Sequence, residues 1–201
     1  MAKVNEFQSR IIEMVFGKEE EAFEPLALTE EELRELAVHE AGHCVTFLAL
    51  NVNYAKLICV TIIQTQEHLG SNLYRYSANI ERDERYYKEM IALNIAGKIA
   101  SDQMGFKPRF YEKDLLEAYE LADEYVKKYC PSGNFEEDRN RILKVIAEQK
   151  ETVLKIIKEN EKQLNDITKA LLKRKVLLAA EAKALFDGTM TIEELEPMEL
   201  N

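Results

Sequence analysis

The sequence predicts a mainly α protein: a helical bundle carrying one small antiparallel β-ribbon. Three observations predict it. Seven Gly and four Pro in 201 residues leave little punctuation, which favours long helices over many short strands. Apolar residues recur at helical spacing through most of the chain. One short run rich in β-branched residues, 56–63 (KLICVTII), is followed by a Leu69-Gly70 turn, the mark of a strand and a return.

A first helix is expected over residues 5–16, with Phe7, Ile11, Met14 and Val15 on one stripe and Gly17 as its stop. Glu19, Glu20, Glu21 and Glu24 then lead to Pro25, so residues 1–28 read as an N-terminal helix and acidic linker. Thr29 and Glu32 fit a capping box, in which each side chain covers an orphan backbone N–H. The helix they open continues to Leu50, with Asn51 as the stop. The strand at 56–63 pairs with 73–76 across the Leu69-Gly70 turn. Residues 82–104 are helical again, with Tyr86, Met90, Leu93 and Gly97 along one line and Gly105 beyond. Further helices are expected over 112–129, over 135–173 with a bend near Asn160, and over 179–186 with Gly188 behind it. Cys130-Pro131-Ser132-Gly133 breaks the chain between the first two. The divisions are thus 1–28, a helical domain at 29–188, and a loose acidic tail at 189–201.

Composition narrows the function. The 27 Lys and Arg against 37 Asp and Glu give a net charge of −10, which argues against nucleic acid as a partner. No apolar run reaches the roughly 18–20 residues of a membrane span, and MAKVNEFQSR holds no signal-peptide core. Cys44, Cys59 and Cys130 form neither a disulfide framework nor a metal clip, so a reducing cytoplasm is the expected location.

The chemistry lies in His39-Glu40-Ala41-Gly42-His43. Only three histidines occur in the chain, and two of them stand here in an H-E-x-x-H run on a predicted helix. Positions four apart lie about 40° from each other around a helix and one turn apart along it, so both imidazoles can reach one ion. Zinc is the expected cofactor, because imidazole suits it and an open coordination position lets it activate water. Glu40 is placed to act as general base and then as the acid that protonates a leaving amine. Val38, Val45, Phe47 and Leu48 would sink the motif into the core. A third ligand is required. The metzincin extension is absent, because Thr46 and Ala49 stand where its glycine and third histidine would be. Spacing leaves Glu67, His68, Asp102, Asp114 and Glu117 open as candidates. Cys44, next to a ligand histidine, points about 100° away and reads as core. The tyrosines Tyr74, Tyr76, Tyr86 and Tyr87 read as packing around the ribbon.

On these residues the chain resembles the peptidase domain of the FtsH family of membrane AAA proteases. The five residues 39–43 match that family's HEAGH; Thr61-Ile62-Ile63 with Leu69-Gly70 looks like its strand and turn; Gly97-Lys98-Ile99-Ala100 is similar to its GRAA segment; and Asp114-Leu115 falls where the family carries the aspartate of its third zinc ligand. The resemblance runs from about Thr29 to Gly188. It implies an FtsH-peptidase-like fold with His39, His43 and Asp114 on zinc and Glu40 as catalytic base. It implies a polypeptide substrate, flexible or unfolded, added as an extended strand to the ribbon formed around Val60–Ile63. The departures are specific. No G-x-x-x-x-G-K-[ST] loop is present in the chain, so the implied peptidase works without ATP or is fed by a separate ATPase chain. The family forms hexameric rings, which leaves a homo-oligomer open. Pro108-Arg109-Phe110-Tyr111 replaces the family's Thr-Gly-Ala stretch before the aspartate, and Ser101 stands where a glutamate commonly follows GRAA. The bulky 108–111 segment motivates the alternative of a peptidase-derived binding or regulatory module.

Overall fold

Thr29 opens the central helix. Its hydroxyl oxygen accepts the Glu32 N–H at 3.2 Å, and Glu32 Oε2 accepts the Thr29 N–H at 2.9 Å. The helix so started, α1 (Glu30–Leu50), ends at Asn51, which adopts the left-handed region at φ 50° and donates its N–H to the Leu48 carbonyl. The structure is a computed structural model and describes residues 24–65, 68–107 and 109–196. The helix expected at 5–16 lies outside the described residues.

α1 is buried on every side from Glu35 to Phe47 with the exception of half-buried His43, as befits a helix enclosed by others. Its neighbours are α2 (Glu84–Gln103), α4 (Phe135–Glu159), α5 (Glu161–Arg174) and α6 (Ala179–Phe186), while α3 (Glu112–Tyr129) packs on α2 and α4. The contact of α1 with α2 is close because Gly42 has no side chain. A Cβ there would lie 2.5 Å from Ala100 Cβ and 2.9 Å from the Ala96 carbonyl oxygen. Leu36, Val38, Val45, Ile91, Ile95, Leu164 and Leu171 fill the core around this contact.

The ribbon has one more strand than its sequence suggests. β1 (Ala55–Thr61) pairs antiparallel with β2 (Ser71–Tyr76), with Thr61 opposite Ser71 and Cys59 opposite Leu73. β1 also pairs antiparallel with β3 (Val176–Leu178), giving the order β2-β1-β3. Three apolar residues between two helices carry no readable period, which is why β3 is invisible in the sequence. The consequence is functional. Val60 faces Asn72 on one side and Leu177 on the other, and the Ile62 N–H is bound to the Lys175 carbonyl at 2.9 Å. β1 is therefore no edge over Val60–Ile62, and a strand joining this ribbon would have to use an outer edge, β2 or β3.

The helices otherwise fall close to expectation. Asn160 (φ −119°, ψ 31°) divides the expected long helix into α4 and α5 rather than bending it. Tyr74 packs on Phe47 of α1 at 4.8 Å and Tyr86 on Tyr54, just before β1, at 5.0 Å, while Tyr87 turns to Tyr125 and Tyr129 of α3. The start of the expected loose tail is docked: Leu195 is buried, and the Ile192 carbonyl accepts a bond from the Lys173 ammonium. Among the described residues no helix is long and apolar enough to cross a membrane.

Candidate metal centre

One turn of α1 separates His39 from His43, and both rings project towards α2 and the start of α3. Their Nε2 atoms lie 3.0 Å apart, with the rings edge to face at 71°. Asp114, in the first turn of α3, brings its Oδ2 to 2.9 Å from His39 Nε2 and 3.3 Å from His43 Nε2. Two imidazole nitrogens and a carboxylate oxygen thus form a near-equilateral triangle, and the three residues make up a group that could hold a metal ion. Bonds of about 2.0–2.1 Å in tetrahedral geometry imply ligand-to-ligand edges of about 3.3 Å, so the triangle is close to one face of a zinc tetrahedron.

The surroundings fit the same purpose. The Leu93 carbonyl oxygen lies 2.7 Å from His43 Nδ1. A carbonyl only accepts, so Nδ1 carries a proton, and Nε2 is the nitrogen that faces His39 and Asp114, where its lone pair could serve a metal. Gly97 makes room for the pair: a Cβ on it would lie 2.5 Å from both His39 Cε1 and His43 Nε2. α2 thus supplies a carbonyl that orients one ring and a gap that admits both.

The charges favour a cation. Burial by itself lowers the His43 pKa, but the hydrogen bond and charge of Asp114, with the charge of Glu40, outweigh it and raise it to about 9. Burial alone would raise Asp114, yet its bonds to His39 and His43 hold it well below the usual carboxylate range. Without a metal, the group therefore favours a bound proton, and a divalent ion there would supply still more positive charge.

Glu40 is buried beside the group, at 5 % exposure. Burial raises its pKa; the charges of His39 and His43 and a hydrogen bond from Asn72 lower it part of the way, and the charge of Asp114 adds to the rise. The Asn72 amide donates to Glu40 Oε2 at 2.8 Å and to the Glu40 carbonyl at 3.0 Å, a clamp on both ends of one residue. Oε1 lies towards the turn at Gly70.

Of the residues open as third ligand, Asp114 alone joins the histidines among the described residues. Asp102 is on α2, paired with Lys98 at 2.6 Å. Glu117 and His68 are exposed, and Glu67 lies outside the described residues. Cys44 is core, its thiol pushed up to about 12 by burial and then by the charge of Glu40, so it offers no thiolate. Of the bulky segment before Asp114, the Arg109 N–H bonds Glu35 on α1, and the Tyr111 ring lies under the Lys98 ammonium at 5.4 Å. Asn72, Leu93 and Gly97 have roles that residue spacing does not assign. Only Gly97, an isolated glycine within a helical pattern, carried a readable signal. Compared with models of known protein families, the chain matches none, and none of the curated proteins compared matches it.

Proposed function

We propose that the chain is a zinc metalloendopeptidase of the FtsH-peptidase type, hydrolysing peptide bonds in flexible polypeptides without ATP. The observation that carries this is the convergence of His39, His43 and Asp114 within 3.3 Å of one another, with the Glu40 carboxylate buried alongside. Zinc held by those three residues would supply Lewis acidity, bringing the pKa of water towards 7 and polarising a peptide carbonyl.

The chain's own residues do the rest. Asn72 holds Glu40 Oε2, which leaves Oε1 to move the proton. Oε1 takes a proton from the water whose oxygen bonds to the carbonyl carbon, then passes it to the amine nitrogen as the C–N bond breaks. The raised pKa of Glu40 brings it nearer the operating pH, as a general base requires. An extended segment added along β2 would reach this carboxylate, because Asn72 is itself a residue of that strand. Such docking reads backbone more than side chains, which suits a flexible polypeptide as substrate.

A second reading has an observation in its favour. Glu40 is nearly enclosed by Asn72 and the turn at Gly70, as expected of a regulatory module that keeps its metal for structure. Metal analysis beside a casein degradation assay separates the two. The peptidase reading predicts turnover by the parent, abolished by a chelator, and loss of turnover with retained zinc in Glu40→Gln. A Glu40→Gln protein as active as the parent would refute the mechanism; a zinc-loaded parent with no turnover would favour the module.

A further inference from the structure

His39 and His43 are held by the long buried helix α1, but Asp114 stands at the start of α3, which has no cap of its own. Tyr111 occupies the N-cap position and makes no side-chain bond to the helix N–H groups. Uncapped helix ends are weakly held, so tertiary contacts must place this ligand. One comes from Glu35, one turn before His39 on α1. Glu35 is 3 % exposed, and its Oε1 accepts the Arg109 backbone N–H at 2.7 Å. A carboxyl group buried this deeply is costly unless it is hydrogen-bonded, and the Arg109 N–H supplies such a bond. The Arg109 guanidinium also reaches Glu32 Oε1 at 2.5 Å and brings Nε to 3.9 Å from Glu35 Oε2, but its side chain is half exposed, where ion pairs contribute little.

We propose that Glu35 is a positioning residue: through the Arg109 N–H it holds the start of α3 so that Asp114 meets the two imidazoles, and it thereby sets the affinity of the site for its metal. The inference rests on the metal-site reading and is independent of peptidase activity. Removing groups that orient metal ligands typically weakens binding by about 10–100-fold.

The test is the zinc dissociation constant of the full chain, measured by competition with a chromophoric chelator. Glu35→Ala should weaken binding by about 10–100-fold, while Glu35→Gln, which keeps an acceptor oxygen, should stay close to the parent. If Glu35→Ala fails to fold, the surface pair Arg109→Pro and Arg109→Ala decides. Proline deletes the N–H and should weaken binding to a similar degree; alanine keeps it and should not. Parent-like affinity in Glu35→Ala, or equal affinity in the two Arg109 variants, overturns the positioning role while leaving the metal site intact. A parent that binds no zinc overturns the metal site itself, and this proposal with it.

Discussion

At the scale of single residues, the site depends on what is small as much as on what ligates. Gly97 lies against both imidazoles, and the clash a methyl group would make involves rigid rings rather than flexible chain ends. Gly97→Ala is therefore expected to lose zinc, measured by metal content after gel filtration. Gly105→Ala, where nothing lies within 4 Å of the added carbon but φ is 80°, should cost stability and yet keep its zinc, which makes it a control for the metal readout. Asn72 gives a second prediction. Asn72→Asp keeps the size but removes the N–H donor to Glu40, so zinc should be retained while kcat falls, and steady-state kinetics on a peptide substrate would show the split. The histidine pair was legible in the sequence because i, i+4 geometry is local. Asp114 was legible only through resemblance, since nothing local ties the start of α3 to α1. The Leu93 carbonyl was not legible at all, because every residue carries one.

At the scale of elements, α1 is the frame: it bears both histidines, Glu40 and Glu35, and touches both longer strands. Its start is secured by the reciprocal Thr29–Glu32 bonds. Thr29→Ala should cost about 1 kcal/mol of stability, and Thr29→Ser should recover most of it, as read by urea denaturation. The caps, stops and apolar periods of the helices were readable because each is written in a few neighbouring residues. β3 was not, because its strand character comes from the β1 edge against which residues 176–178 lie. That hidden strand also takes the outer position beside β1, leaving β2, where Asn72 joins strand and site, as the opposite edge of the sheet. Arg109 and Tyr111 were legible as part of a departure, but their partners are Glu35 and Lys98, which are remote in sequence.

At the scale of the whole molecule, the metal group couples stability to pH. The raised pKa of His43 means that, without metal, its contact with Asp114 contributes fully below the ordinary value of 6.5 and is lost as pH rises through about 9. The same contact, seen from Asp114, persists above the ordinary 3.8 and is lost as pH falls below it. Metal binding displaces the proton between the rings, so affinity rises with pH while the metal-free contact weakens. The increase in Tm on adding zinc should accordingly be larger at pH 9 than at pH 6.5, and thermal melts with and without zinc at the two values check it. An increment independent of pH would place the metal away from the histidines.

The most direct measurement of the central claim is X-ray absorption at the zinc edge of the loaded protein. Two imidazole rings with further nitrogen or oxygen donors at about 2.0–2.1 Å and no sulfur are predicted. A sulfur shell at about 2.3 Å, or a shell without imidazole scattering, would contradict binding at His39, His43 and Asp114.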